Sequence, residues 1–112
     1  MNTKNLITLA LFALIVAVGV YPAYATDDSS TQALLKKSRC STCHALDKKK
    51  VGPSYREIAK KYKDVAGAEQ KLYLHLTTLP KVDVDGVEEQ HVSLQSGNEV
   101  EIRAAIKWIL TR

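Results

Sequence analysis

Cys40 and Cys43, the two cysteines of the sequence, stand three positions apart, and His44 follows directly. No other feature of the 112 residues restricts the fold as much. A disulfide between them would close too short a loop to remove much chain entropy. Cys40-Ser41-Thr42-Cys43-His44 is instead the C-x-x-C-H haem attachment signature. The two thiols add to haem vinyl groups, and the spacer lets both reach one porphyrin edge from the end of a helix. His44 is thereby carried beneath the iron, where imidazole is a good axial ligand. Two other uses of the pattern compete. A thioredoxin-like redox pair needs a βαβ setting that the sequence lacks. A structural zinc site would need a further ligand from His75 or His91, and such sites generally use more cysteine.

The start of the chain favours haem, because the attachment chemistry takes place outside the cytoplasm. Lys4 gives a short positive region, and Leu6 to Val20 is apolar apart from Thr8 and Gly19. Ala23-Tyr24-Ala25 then supplies the small residues of a signal-peptidase site. Residues 1–25 are expected to be a cleaved signal peptide, and residues 26–112 a single domain that is periplasmic or otherwise exported. A retained anchor is the alternative, and only through it would the protein meet a membrane. The apolar run falls short of the ~20 residues a spanning helix needs. A domain of the remaining size is marginal for a purely hydrophobic core. A covalent haem would give it a large apolar body to wrap.

Local patterns predict short helices. Thr31 to His44 reads as the first, with Ser29 or Ser30 as N-cap and Ala33, Leu34 and Leu35 as its apolar contribution. Ser54-x-x-Glu57 is a capping box opening a helix through Tyr62. Ala68 to Thr78 reads as a third helix, with Leu72, Leu76 and Leu79 recurring at helical spacing, as do Tyr73 and Leu76, and Pro80 stops it. Lys81 to Gln95 reads as an extended loop. Ser96-x-x-Glu99 is expected to start the last helix, with Val100, Ile102, Ala105, Ile106 and Ile109 as an apolar stripe. With no convincing strand pair, the expected class is all-α, about four short helices around one haem.

The run from Cys40 to Tyr55, the Gly52-Pro53 pair, Ala66-Gly67-Ala68-Glu69 and Lys107-Trp108-Ile109-Leu110 closely resemble the short bacterial class I cytochromes c. The resemblance covers nearly all of the chain after residue 25 and weakens between Thr77 and Ser96. It implies an all-α electron carrier holding one haem c through Cys40 and Cys43. It also implies that the Pro53 carbonyl accepts a hydrogen bond from His44 Nδ1–H, which fixes the ring and raises its basicity.

One part of the family pattern is missing. The sixth ligand in this family is normally a methionine before the last helix, and the single methionine here is Met1. Methionine ligation is thereby excluded. The methionine's aligned position falls close to His91, which is taken as the distal iron ligand. His75 aligns with a basic residue that contacts a haem propionate in some relatives, and is assigned to that role. The competing readings are a solvated His91, a helix-capping His75, lysine ligation, or an open iron. A second imidazole lacks the potential-raising effect of a thioether, so a lowered reduction potential is expected.

Charge is unevenly placed. From Ser29 to Lys63 ten basic residues face two acidic ones, whereas five basic and eight acidic residues follow. A basic face around Lys48, Lys49, Lys50, Lys60 and Lys61 could steer an acidic redox protein, or be ordinary solvated helix surface. Nucleic acid is not an expected partner, since the basic residues have no interleaved aromatic platform. The leading functional reading is a single-electron carrier and not an enzyme. A binder or sensor of a diatomic gas, with a vacant or displaceable sixth position, is the alternative. A haem enzyme ranks third, for want of an acid–base cluster beside the iron.

Overall fold

The computed structural model describes residues 28–112, together with Gly19. The signal-peptide and cleavage-site expectations lie outside the described residues. No helix among the described residues is long and apolar enough to cross a membrane.

Among the described residues five helices and one β-hairpin are present: α1 (Asp28–Lys37), α2 (Cys40–Cys43), α3 (Tyr55–Tyr62), α4 (Ala68–Thr77), β1 (Lys81–Val84), β2 (Val87–Gln90) and α5 (Glu99–Leu110). α5 is the central element and packs against α1, α3 and α4. Its spacing puts Ile102, Ala105, Ile106 and Ile109 on a buried face, with Trp108 beside them, against Leu35, Leu72, Leu76 and Leu94. Each such aliphatic side chain contributes about 1.5–3 kcal/mol by leaving water. Ala105 is wholly buried, and its small side chain lets the helices approach. Val100, counted in the stripe from sequence, is 62 % exposed and lies outside it.

The first helix is not continuous. Arg39 adopts a left-handed conformation (φ 62°) that breaks it into α1 and α2. Such a backbone costs a non-glycine residue roughly 1–2 kcal/mol. Ser38 stabilises the break from the interior: it is buried, and its Oγ accepts a hydrogen bond from Gln95 N at 2.8 Å. The kink turns the Cys40–Cys43 segment out of the line of α1. Ser29 and Ser30 lie within α1 instead of capping it, and Ala33 is exposed.

α3 begins as the sequence predicts. Ser54 Oγ accepts from Glu57 N at 3.1 Å, and Ser54 N donates to the Glu57 carboxylate at 2.7 Å. The last helix begins at Glu99, and its cap is not Ser96. Asn98 caps α5 through Val100 N, while Ser96 Oγ accepts from Asn98 N and donates to Glu101. A cap needs one oxygen near the first free N–H groups, and Asn98 stands nearer to them in sequence.

The segment after Pro80 is not a plain loop. β1 and β2 pair antiparallel, with Lys81 opposite Gln90 and Val84 opposite Val87. The turn is Asp85-Gly86, both with positive φ (52° and 84°), the conformation a tight hairpin demands and the one Asp-Gly tolerates best. Asp83 and Glu88 are paired across the strands despite like charge. Lys81 Nζ meets Glu88 at 2.6 Å, and Asp83 accepts from Gly86 N, which offset the repulsion. By folding back, the hairpin brings His91 N to donate to Pro80 O at 2.8 Å. It therefore fixes where His91 stands.

Candidate functional site

Cys40 and Cys43 occupy the first and last positions of α2 and both carry free thiols. Cys40 is buried among core residues, and burial pushes its thiol pKa up. His44 ends the helix, its N–H bonded to Cys40 O at 2.9 Å. The following loop is laced to the helix by Gly52 N to Cys43 O and Lys50 Nζ to Ser41 O, and to α3 by Tyr55 N to Ala45 O. This lacing sets the His44 ring between Gly52 and Tyr55.

His44 Nδ1 lies 2.6 Å from Pro53 O. A carbonyl only accepts, so Nδ1 carries the proton and Nε2 keeps its lone pair free for a metal. The contact is the one that the resemblance implied. Gly52 supplies a second constraint that sequence reasoning did not single out. A Cβ there would come within 2.6 Å of His44 Cε1 and 3.0 Å of Nδ1. Only a glycine lets the backbone lie against the ring.

His91 comes from the far side of the chain to face this histidine. The two ring centroids are 6.1 Å apart, with planes inclined at 47°. Two metal–nitrogen bonds of about 2 Å, with about 1 Å from each nitrogen to its ring centre, span about 6 Å. The gap is wide enough for one metal ion between two imidazoles. Among the described residues no group of three or more His, Cys, Asp or Glu side chains is arranged to hold a metal ion. A metal between these rings would draw its remaining ligands from a cofactor.

His75, on α4, lies against His91 with ring centroids 4.3 Å apart, too close for a metal between them. Burial lowers the pKa of both His75 and His91. For His91 the nearby Val92 backbone opposes this shift and His44 adds to it; for His75 the other two histidines reinforce it. Both shifts favour the neutral ring, the state a metal ligand requires.

Three buried polar atoms around these rings have no hydrogen-bond partner among the described residues: Tyr55 Oη, His91 Nδ1 and Trp108 Nε1. Tyr55 stacks on His44 at 5.7 Å and meets Trp108 edge-on at 5.3 Å. Burial drives the Tyr55 hydroxyl pKa well above its usual value, with the Cys40 thiol adding to the effect. Unpartnered buried donors are costly, about 1–3 kcal/mol each, and are expected where a ligand completes them. Two thiols on one helix end, two opposed imidazoles and unpaired donors fit a covalently attached haem. The sequence offered Tyr55 and Trp108 only as aromatic landmarks; their position beside His44 depends on the α3–α5 packing.

A family model described as Cytochrome c matches residues 30–112. Cytochrome c-551 of Stutzerimonas stutzeri is 40% identical over 70 residues, spanning 62% of this chain and 64% of that protein, just under two thirds of its length. Cytochrome c-552 of Nitrosomonas europaea is 30% identical over 122 aligned residues, covering 99% of this chain and 98% of its own. Among solved structures, the class 1 cytochrome MtoD from Sideroxydans lithotrophicus ES-1 is similar with a TM-score of 0.72 at 37% identity, covering 76% of this chain and 95% of its own.

Proposed function

This chain belongs to the cytochrome c family, and from that premise we propose that it is an exported single-electron carrier whose iron is held between His44 and His91. Membership implies one covalently bound haem c. Cys40 and Cys43 are its attachment points, His44 its proximal ligand, and Pro53 the acceptor that orients His44. When bound, the haem supplies a one-electron couple. The protein's residues hold it, shield it and set its potential.

The observation that carries this reading is the 6.1 Å separation of the His44 and His91 rings. Imidazoles from His44 and His91 would leave a haem iron no free position for a substrate, which favours electron transfer over catalysis. Imidazole in place of a thioether lowers the reduction potential. The carboxylates of Asp83, Asp85, Glu88 and Glu89 on the hairpin add only weakly to this, because all four are exposed and screened. His75 lies beside the distal ring and is read as a neighbour of the haem periphery, not as a ligand. The partners are redox proteins with an acidic docking face, met through the basic half of the domain. Residues 1–25 are read as the export signal.

Optical titration of the reduced protein with carbon monoxide tests the assignment. A low-spin ferrous spectrum and slow, His91-limited uptake are expected. Immediate uptake by a high-spin ferrous protein would move the gas-binding reading ahead of electron transfer.

A further inference from the structure

A hollow of about 500 Å³ opens between α3 and the C-terminal end of α5. Arg56, Lys60 and Lys63 line it from the α3 side and Arg112 from the end of the chain, with no acidic side chain in the lining. Ala59 and Ala68 contribute only methyl groups, which leaves the hollow open. Arg56 is paired with Asp47 at 2.8 Å, an exposed contact of small worth. Lys60, Lys63 and Arg112 form no ion pair among the described residues.

The same hollow borders the aromatic cluster. The Arg112 guanidinium lies over the Trp108 ring at 4.4 Å. Trp108 meets Tyr55 at 5.3 Å, and Tyr55 meets His44 at 5.7 Å. An unbroken run of ring contacts thus joins the basic rim to the proximal histidine. Lys48, Lys49 and Lys50 do not line the hollow, and Lys50 Nζ donates to Ser41 O.

We propose that this hollow is the docking site for an acidic segment of the redox partner, and that the electron crosses on the proximal side, by way of Trp108, Tyr55 and His44. The inference rests on the electron-carrier reading. Lys60 and Lys63, with Arg112 held in place by its Nε donating to Trp108 O at 2.9 Å, stand around a partly apolar floor and suit carboxylates carried on short aliphatic stems, as in a Glu- or Asp-rich segment. Attraction of this kind acts mainly on the rate of encounter. A second copy of this chain, offering its acidic hairpin, is the competing occupant.

The test uses the reduced holoprotein and two probes. Hexacyanoferrate(III), a small trianion, takes one electron from each ferrous protein and becomes the tetraanion. At low ionic strength the K60E/K63E double variant should be oxidised more slowly, on the order of ten-fold, and lose most of its salt dependence. K48E/K49E changes net charge equally and should be affected much less. Hexaglutamate peptide should shift the amide resonances around Lys60, Lys63 and Arg112 and the Trp108 indole N–H, and should do so only weakly in K60E/K63E. Equal slowing of both double variants would reduce the effect to net charge and overturn the proposal. Peptide shifts centred on Lys48–Lys50, or binding in the hollow without any effect on oxidation, would overturn it too, while leaving the carrier reading intact. Self-association of the wild type abolished by K60E/K63E would give the hollow to a second copy instead. A wild type that hexacyanoferrate cannot oxidise would sink the carrier reading itself.

Discussion

His44 and His91 face each other at 6.1 Å between ring centroids, although 46 residues of chain and two helices separate them. The proximal ring is fixed from its own neighbourhood, by the Pro53 carbonyl and the Gly52 backbone. The distal ring is fixed from elsewhere, by the hairpin that returns His91 to Pro80 and by His75 against its face. One ring is set by a local turn and the other by tertiary closure, and on the proposed ligation their substitutions should behave differently.

Removing the distal imidazole should open the iron. His91→Ala is expected to turn the ferrous haem high-spin and allow carbon monoxide to bind rapidly. His75→Ala should leave the haem six-coordinate and shift the reduction potential only modestly, by loosening the contact at 4.3 Å. Visible spectra and carbon monoxide mixing on both variants decide this. If His75→Ala opens the iron and His91→Ala does not, the two roles are exchanged.

Gly52→Ala tests the proximal side. Its added Cβ would sit 2.6 Å from His44 Cε1, so the ring or the loop has to move. Overpacking of this kind costs typically 1–3 kcal/mol. The variant should unfold at lower temperature, and the hyperfine-shifted resonances of the His44 ring in the ferric protein should move. Unchanged resonances would mean that the loop yields and the ring does not.

How much of this was legible in the sequence follows from how far each cause lies along the chain. The attachment motif, the Ser54–Glu57 box and the helical spacing of Leu72 and Leu76 are local, and the structure contains them. The break at Arg39 is held by Ser38 and Gln95, 57 residues apart, and no window around Arg39 carries that information. The hairpin did have a local signal in Asp85-Gly86, but four carboxylates diluted the alternation of Val82, Val84 and Val87. Ser96 and Asn98 are equally good capping residue types, so composition could not choose between them. The closeness of Gly52 to His44 and the unpaired Tyr55 and Trp108 donors exist only once α3 and α5 have packed.

The capping box at α3 makes a prediction about acid. Hydrogen bonds from the Ser54 backbone and then its side chain hold the Glu57 carboxyl below its usual value of 4.5. A carboxyl lowered in the folded state stabilises it above the unfolded pKa, and that stability is lost as pH falls through the folded value. Thermal melts of wild type and Glu57→Gln should therefore diverge at neutral pH and converge as the pH drops below 4.5. Ser54→Ala, which removes the cap itself, should cost about 1 kcal/mol. A constant gap between wild type and Glu57→Gln at all pH values would show that the charge plays no part.

The hairpin offers the most demanding prediction, because it separates local from global stability. Gly86 sits at φ 84°, and a side chain there has room but not the backbone freedom. Gly86→Val should strain the turn by roughly 1–2 kcal/mol. The hairpin stands apart from the α1–α3–α4–α5 core, so the loss should appear as local opening more than as a drop in global melting temperature. Opening the hairpin releases the His91 N–H from Pro80 O, which is 2.8 Å away in the closed form. The distal imidazole should then leave the iron more often, and each 1.4 kcal/mol of lost closure should raise its dissociated population about ten-fold. Carbon monoxide uptake by the ferrous variant should accelerate to match, while haem attachment at Cys40 and Cys43 stays unchanged. A melting temperature that falls with uptake unaltered would detach the hairpin from ligand control and leave it as a surface ornament of the fold.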